Sequence, residues 1–405
     1  MTIKNEHRVG MGPKPSEAAA SMPGSGIRDM MHRIATMDDV INLAPGEPDF
    51  PTPSHIVAAG IEALRAGHTK YANNAGLPEL RSELVRKLHR HNRVTVDPDR
   101  LIVTNGAAEG LYSAFVALVG PGDEVLLPDP GWPNFRMMAI LRNAVIRDYR
   151  LSAETGYLPS IAQLETLVSP KTRLILLNTP LNPVGSIIGR ELMIELVRFA
   201  ERHDIWILSD ETYDAITYDD SYVSAASLDT SGRVVGVHSF SKTYAMTGWR
   251  VGYVAAPASV APIIATLQEA MISCVNTPAQ WAALAALRGP QEPAEMMRAA
   301  YADRRRQSLE LLGSLGIPAH PPSGAFYLWL DVRGSGVGSD AFARSLLDEE
   351  RVAVAPGSTF GPSGEGFVRI ALTSGQRLAE GLTRLARHHG AMAAARGRVT
   401  VARTG

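Results

Sequence analysis

Six short apolar runs between residues 100 and 257 alternate with helical patterns, and this alternation constrains the fold more than any other feature of the chain. The runs, which we predict to be strands, are residues 101–104, 124–127, 173–177, 205–208, 234–237 and 251–254. Apolar residues recur with helical spacing at 107–118, 161–168 and 190–203. Strands that are apolar on both faces need helices on both sides. The pattern therefore predicts an α/β fold with a mostly parallel sheet.

A second pattern follows residue 257 and predicts a smaller α/β domain. Helical spacing occurs at 259–274, 278–288, 293–315, 339–350 and 375–394, and strand patterns at 326–330, 351–354 and 367–370. A length of 405 residues is long for one domain. We predict an N-terminal arm and part of the small domain in residues 1–45, a large domain in 46–288 and a small C-terminal domain in 289–405. The tail after residue 395 has little apolar pattern, and we expect it to be loose.

Composition excludes several classes of function. The formal net charge is −1, so a polyanionic partner such as a nucleic acid is not expected. Cys274 is the single cysteine, which excludes an internal disulfide and a multi-cysteine metal site. The first 26 residues lack the apolar core of a secretory signal, and no run of about 18 apolar residues suggests a membrane span. We expect a cytoplasmic protein without a metal.

Polar residues follow four of the predicted strands. They are Asn105, Asn178, Asp210 and Ser239. In open, mostly parallel sheets, ligands bind at the carboxyl ends of the strands. The sequence therefore predicts a binding site at this edge of the large sheet.

Lys242 lies close after one of these strands, and Arg250 follows it. An amine, a strand-end carboxylate and a fixed cation are the groups that pyridoxal phosphate needs. In this interpretation Lys242 forms a Schiff base, Asp210 partners the pyridinium nitrogen and Arg250 pairs with the phosphate. Taken singly, Lys242 reads as a surface lysine and Arg250 as a salt-bridge residue. The combination and order of the residues favour the cofactor.

Gly106, Ala107 and Ala108 open a predicted helix directly after a strand. Small residues there let backbone N–H groups approach a phosphate, which a helix N-terminus also favours. The alternative is a simple strand–helix turn whose small residues serve packing. A nucleotide-binding P-loop is excluded, because no Gly-Lys-Ser/Thr follows.

Taken together, these segments resemble the class I/II aminotransferases, the fold type I family of pyridoxal phosphate enzymes. The matching segments occur in the family order between residues 41 and 387; they are 43–50, Tyr71 with 76–81, 104–109, 130–133, 178–185, 210–213, 239–253, 356–361 and 368–370. The resemblance implies an aspartate aminotransferase-like fold and a homodimer. It also implies transfer of an amino group between an α-amino acid and a 2-oxo acid.

The resemblance further implies a role for each remaining site residue. The catalytic residues would be Lys242, Asp210 and Tyr213. Gly106, Ala107, Ala108, Ser239, Ser241 and Arg250 would hold the phosphate, Trp132 would cover the cofactor ring, and Asn182 and Tyr213 would hydrogen-bond its phenolic oxygen. The substrate would contact Gly46, Trp132, Asn182 and Arg369, with Arg369 on the α-carboxylate. Tyr71 would reach the phosphate of the neighbouring subunit.

Ordinary structural interpretations of these residues remain open. Trp132 reads as a core or surface residue, Asn182 before a proline as a turn residue, and Arg369 as a surface residue on an edge strand. Tyr71 reads as a tyrosine buried in its own subunit. Residues 25–28, before the first strand, are a further candidate lining of the substrate pocket.

The chain departs from the family pattern at three positions. Val184 stands where threonine is commonest, and Thr179 where a second asparagine is frequent. Ala108 occupies the position at which a lysine recognises the distal carboxylate in the dicarboxylate-specific bacterial branch. This alanine weakens aspartate and prephenate as preferred substrates.

Two other functions share parts of this pattern. A fold type I enzyme of specialised biosynthesis would use the same residues for elimination, substitution or cyclisation on an amino acid, because a fold does not fix a reaction. A regulatory protein with this fold would carry a DNA-binding domain before it. The residues before position 41 are too few and too rich in Gly and Pro for such a domain.

Overall fold

A seven-stranded sheet contains the apolar runs between residues 100 and 257. The computed structural model describes residues 14–24, 26–219 and 221–404, with backbone alone for 396–404. The strands are β1 (Ile41–Asn42), β2 (Leu101–Thr104), β3 (Glu124–Asp129), β4 (Val145–Arg150), β5 (Thr172–Asn178), β6 (Trp206–Asp210), β7 (Val234–Ser239), β8 (Gly252–Ala255), β9 (Ala319–His320), β10 (Tyr327–Asp331), β11 (Val352–Ala353), β12 (Ala355–Pro356) and β13 (Phe367–Ala371).

Helices cover this sheet, and further helices follow along the chain as far as Thr404. The α-helices are α1 (Glu17–Ala20), α2 (Gly26–Ile34), α3 (Ser54–Arg65), α4 (Pro78–Lys87), α5 (Ala107–Leu118), α6 (Pro133–Leu141), α7 (Ile161–Leu167), α8 (Arg190–Arg202), α9 (Ala261–Ile272), α10 (Thr277–Arg288), α11 (Glu292–Ser314), α12 (Ser339–Glu350) and α13 (Leu378–Thr404). Within the described ranges, no helix is long and apolar enough to cross a membrane.

The large sheet has the strand order β2-β8-β7-β6-β5-β3-β4. β8 is antiparallel to both of its neighbours, and all other neighbours pair in parallel. Successive residues of β5 pack on opposite faces: Leu176 joins a buried cluster with Phe115 of α5, and Leu177 joins another with Phe199 of α8. Both faces are therefore covered by helices. The predicted α/β fold with a mostly parallel sheet is confirmed.

All six predicted strands of this region are present, and the sheet also contains β4, which the pattern did not indicate. β4 lies at the sheet edge and pairs with β3 alone. Its first four residues alternate between exposed and partly buried, Tyr149 is buried, and Arg147, Asp148 and Arg150 give it a charged sequence. Charged side chains on an edge strand discourage pairing with other chains. Because of these charged residues, β4 also lacks the apolar run by which the other strands were predicted.

A four-stranded antiparallel sheet of order β12-β13-β10-β9 forms the second layer. The N-terminal strand β1 pairs in parallel with β11, and Leu43 shares a buried cluster with Leu328 and Ile370. These contacts support assigning residues before 46 to the small domain. The boundaries at residues 45 and 288 stay a prediction, and residues 1–13, 25, 220 and 405 lie outside the described ranges.

Two details of the C-terminal region differ from the prediction. The strand predicted at 351–354 is divided into β11 and β12, because β11 pairs with β1 whereas β12 pairs with β13. Helix α13 continues past residue 394 to Thr404, so the expectation of a loose tail after residue 395 was wrong for the described backbone. The alanines at 391 and 393–395 are strong helix formers, which explains the continuation.

Candidate active site

A cavity of about 220 Å³ lies at the carboxyl ends of three adjacent strands, β5, β6 and β7. Asn178, Asp210 and Ser239, which end these strands, all line it. Asn178 and Asp210 are partners in the strand register, and the Asn178 side chain donates a hydrogen bond to the Asp210 carbonyl oxygen at 3.1 Å. The parallel sheet therefore brings three of the four predicted polar residues to one place, whereas Asn105 lines a neighbouring cavity.

Most of the predicted site residues line this cavity. Those expected at the cofactor are Ala107, Ala108, Asp210, Ser239, Ser241, Lys242 and Arg250. Those expected at the cofactor ring or the substrate are Gly46, Trp132, Asn182, Tyr213 and Arg369. Gly106 lies directly beneath the Arg250 guanidinium. Neither Gly106 nor Tyr71 lines the cavity itself, and the Tyr71 side chain is 88% exposed.

Lys242 lies in the short connection that follows β7, and its side chain is partly buried. Its Nζ donates a hydrogen bond to the Gly46 carbonyl oxygen. Burial lowers the pKa of Lys242 to about 8, although the nearby Glu47 carboxylate opposes this shift. Arg369 and Arg250 lower the pKa further through their positive charge. Near neutral pH the amine is therefore unprotonated, and hence nucleophilic, far more often than an ordinary lysine.

Asp210 ends β6 and is 5% exposed. Burial raises the pKa of its carboxyl to about 6, although hydrogen bonds from Thr212 act in the opposite direction. The Thr212 backbone N–H donates to Oδ1 at 3.1 Å. A buried carboxylate whose charge is only partly compensated favours a cationic partner.

The start of α5 and Arg250 form one end of the cavity, which we call the glycine end. Gly106 precedes α5 with φ of 75° and provides no side-chain cap, and the next residues, Ala107 and Ala108, line the cavity. The first N–H groups of a helix have no partner within the helix. The Arg250 guanidinium donates to the Thr247 carbonyl at 2.9 Å and to the Asn105 carbonyl at 3.4 Å. Free N–H groups beside a guanidinium make an anion site.

Arg369 lies at the opposite end, which we call the buried end. It is 2% exposed, and it donates to the Asn182 side-chain oxygen at 2.9 Å and to the Ala44 carbonyl at 2.6 Å. Its Nε has no hydrogen-bond partner among the described residues. Burial lowers the pKa of the Arg369 guanidinium. The alternative of a surface arginine on an edge strand is wrong, because β13 lies inside its sheet between β12 and β10.

Two side chains lie between these ends. The Tyr213 hydroxyl is 2.6 Å from that of Tyr327, and burial raises the pKa of Tyr213 well above its ordinary value. Trp132 precedes α6, and its ring meets Phe135 edge-on with centroids 5.4 Å apart. Both side chains line the cavity.

Sequence reasoning missed several residues that line the cavity. They are Leu111, Thr212 and Tyr327. Ile27, from the candidate segment 25–28, also lines it, whereas Ser25 lies outside the described residues. Tyr327 reads in the sequence as one more aromatic residue of an apolar strand. The available signal was its hydroxyl, because a tyrosine at a position expected to be buried usually needs a hydrogen-bond partner.

A second cavity of about 500 Å³ meets the first at Ser239 and Lys242. Its charged groups neutralise one another, since Lys87 pairs with Asp214 and Arg298 with Glu295. Among the described residues, neither Arg250 nor Arg369 has such a carboxylate partner. The unmatched cations identify the smaller cavity as the candidate active site.

The comparisons with known proteins agree with this geometry. The family described as aminotransferase class I and II matches residues 38–385. The chain belongs to this family. It is 39% identical over 352 residues to an aspartate aminotransferase of Thermotoga maritima, covering 86% of this chain and 91% of the relative. It is 36% identical over 367 residues to aromatic-amino-acid aminotransferase 2 of Thermococcus litoralis, covering 89% and 94%.

Among solved structures, a double mutant of Thermus thermophilus aspartate aminotransferase has a TM-score of 0.89 and 34% identity to this chain. The match covers 93% of this chain and 100% of that one. The protein is therefore a pyridoxal phosphate-dependent aminotransferase with an aspartate aminotransferase-like fold, acting on amino and 2-oxo acids. The relatives' names differ in their amino acid, so they do not define its substrate.

The residues present fit pyridoxal phosphate. The glycine end offers uncapped helix N–H groups and a guanidinium bonded only to backbone carbonyls, which suits a phosphate. Asp210 offers a buried carboxyl for a ring nitrogen, and Lys242 an amine of lowered pKa for an aldehyde. The unpartnered Nε of Arg369 leaves a donor for a second anion.

Proposed function

We propose that Lys242 holds the cofactor covalently and then moves the proton at the substrate α-carbon. Pyridoxal phosphate supplies, when bound, a reactive aldehyde and a ring that accepts electrons. The observation that carries the proposal is the position of Lys242 Nζ, an amine with a pKa of about 8 that lines the cavity together with both unmatched guanidiniums. Because this pKa lies near neutral pH, the amine can both accept and release a proton at a small cost in free energy.

Asp210 is proposed to keep the cofactor's ring nitrogen protonated. The carboxyl is buried at the end of β6, and a positive charge beside it would offset the cost of its burial. Tyr213 is proposed to donate from its hydroxyl to the phenolic oxygen, together with Asn182. Its raised pKa supports this role, because the hydroxyl keeps its proton at physiological pH.

Arg369 is proposed to bind the α-carboxylate of the substrate. Its guanidinium retains an unsatisfied donor, and its two existing bonds go to neutral oxygens of Asn182 and Ala44. A guanidinium fork suits a carboxylate. Gly46 is proposed to bring backbone close to the substrate, and Trp132 to cover the ring.

The proposed role of Lys242 is tested by separate half-reactions. Mixing stoichiometric enzyme with an amino acid should convert the bound cofactor to pyridoxamine phosphate, and a 2-oxo acid should reverse the conversion. Lys242→Arg, which keeps a cation but cannot form the covalent link, should bind pyridoxal phosphate yet perform neither half-reaction. Normal half-reactions in that variant would exclude the role.

We also propose a homodimer in which Tyr71 reaches the cofactor phosphate of the other subunit. The exposure of this tyrosine, 88%, and its absence from its own cavity support the proposal. A mixed dimer of Tyr71→Phe and Lys242→Ala subunits would then keep one site with both residues. That site should retain wild-type cofactor affinity. If Tyr71 acts in its own subunit, every site of the mixed dimer lacks one residue.

We propose a cytoplasmic location on the basis of cysteine usage. Cys274 is the single cysteine and is free, which suits a reducing compartment. Fractionation of cells that produce the protein at its natural level should recover it with cytoplasmic markers. Recovery with an extracytoplasmic fraction would exclude this location.

A further inference from the structure

Tyr327 lies on the central strand β10 of the small sheet, and its side chain is 1% exposed. Its hydroxyl oxygen reaches the active-site cavity, 2.6 Å from the hydroxyl oxygen of Tyr213. Burial raises the pKa of Tyr327, so the phenol keeps its proton at physiological pH. Burial also raises the pKa of Tyr213, so this phenol is neutral as well and needs no cationic partner. Two neutral phenols can therefore share one hydrogen bond in either direction.

The ring of Tyr327 faces the Arg369 guanidinium. The guanidinium carbon is 4.2 Å from the Tyr327 ring centroid and 4.9 Å from that of Phe360. Aromatic faces attract a cation and hold it in place without neutralising it. A carboxylate in the same position would occupy the donors that a substrate anion needs. The rings therefore orient a buried guanidinium and leave its charge available.

Gly46 provides the space that the Tyr327 hydroxyl occupies. A Cβ atom at position 46 would lie 2.2 Å from the hydroxyl oxygen and 3.2 Å from the ring carbon that bears it. The Gly46 carbonyl in turn accepts the hydrogen bond from Lys242 Nζ. Tyr327 thus contacts the same backbone segment as the reactive amine.

We propose that Tyr327 is a positioning residue with two separable parts: its hydroxyl orients the Tyr213 phenol, and its ring holds the Arg369 guanidinium. The inference rests on the proposed roles of Tyr213 and Arg369, neither of which itself requires Tyr327. When Tyr213 donates to the cofactor's phenolic oxygen, its own oxygen accepts from Tyr327. Because hydrogen bonds in a chain polarise one another, this second bond makes Tyr213 a stronger donor.

Two substitutions separate the parts. Tyr327→Phe keeps the ring and removes the hydroxyl, so the pH midpoint of the bound cofactor's absorbance should rise by about half a unit to one unit. The amino acid KM should stay within about twofold, since Arg369 keeps its ring contact. Tyr327→Leu removes both parts and should show the same midpoint shift together with a KM increase of at least about tenfold. An unchanged midpoint in Tyr327→Phe, or equal KM increases in both variants, would overturn the inference.

Arg369→Gln, measured in parallel, separates this inference from the proposed function. A normal KM in Arg369→Gln would mean that the carboxylate role itself is wrong. A raised KM in Arg369→Gln with a wild-type KM in a folded Tyr327→Leu would overturn the positioning role alone.

Gly46→Ala provides a second measurement, which stands even if Tyr327→Leu does not fold. The added methyl should displace the Tyr327 hydroxyl and raise the absorbance midpoint, as Tyr327→Phe does. In the double variant, Gly46→Ala with Tyr327→Phe, the clashing oxygen is absent and the two shifts should not add. Additive shifts would show that the Gly46–Tyr327 contact does not act on Tyr213, against the proposal.

Discussion

The glycine end and the buried end of the cavity each present an unmatched guanidinium, but they hold it in different ways. Arg250 is exposed and donates to two backbone carbonyls, whereas Arg369 is 2% exposed and is held between two aromatic rings. Many other arginines pair with acids, as Arg136 does with Asp148 at 2.6 Å, whereas these two line the cavity without a carboxylate partner among the described residues. Leaving two cations without acids makes sense if each receives an anion from outside the chain.

The difference in burial indicates which anion each end receives. An exposed guanidinium beside free helix N–H groups suits a phosphate, which carries more charge and keeps part of its hydration. A buried guanidinium with one open donor suits a single carboxylate. Little water competes for the hydrogen bond at a buried position, and the fixed planar geometry of the guanidinium favours a carboxylate over other groups. We therefore expect the two ends to respond independently to substitution.

Lys242→Ala should have the largest effect and should leave both ends intact. Turnover should fall by at least about 10⁴-fold, because the variant loses both its nucleophile and its base. Equilibrium binding of pyridoxal phosphate and of an amino acid analogue should persist, since Arg250 and Arg369 remain. Isothermal titration with each ligand checks this. Loss of both affinities along with turnover would mean that the two ends are not independent sites.

Asp210 lines the same cavity as both arginines, and its charge affects the stability of the cofactor-free protein. Its pKa of about 6 exceeds the ordinary value of 3.8, so the folded state favours the neutral carboxyl. The stability from this shift is full below about pH 4 and is lost as pH rises through 6, a change of about 3 kcal/mol. Part of this stability is already lost at pH 4, so the cofactor-free Asp210→Asn variant should gain about 2 kcal/mol over wild type between pH 4 and pH 8. Urea unfolding at both values measures it, and a pH-independent difference would contradict the assignment.

Gly106→Ala should affect the glycine end alone. A methyl at this position would lie 2.3 Å from Arg250 Nη2, and the backbone has φ of 75°, which strains any other residue. We expect the Kd for pyridoxal phosphate to rise about tenfold, or by about 1.4 kcal/mol. The KM for the amino acid at saturating cofactor should not change. A change confined to KM would reverse the assignment of the two ends.

The glycine end could be predicted from the sequence almost completely, because its residues come from contiguous motifs after strands of one sheet. Ser239, Lys242 and Arg250 lie within twelve residues of one another, and each lines the cavity. The buried end was predicted only in part. Arg369 came from the resemblance, whereas Tyr327 depends on the pairing of β10 with β13 and on the space at Gly46. Contacts between residues so far apart in the chain leave no local pattern.

Strands, too, could be predicted only where they leave a local pattern in the sequence. Buried strands of the large sheet were recognised by their apolar runs, but the charged edge strand β4 and the division between β11 and β12 were not. An edge strand carries no continuous apolar signal, and the division depends on which partner strand lies beside each half. The edge strand β4 and the division between β11 and β12 both depend on strand pairing in the tertiary structure.

The central claim is that Arg250 and Arg369 bind separate anions. The most direct test measures a variant of each arginine with ligands that lack one of the two anionic groups. Arg250→Gln should reduce the preference for pyridoxal phosphate over pyridoxal, and Arg369→Gln the preference for an amino acid over the amine without its carboxylate. Each preference should fall about 10- to 150-fold in one variant and stay at the wild-type value in the other. If both substitutions reduce the same preference, or if Arg369→Gln leaves discrimination against the amine intact, the two guanidiniums do not bind separate anions.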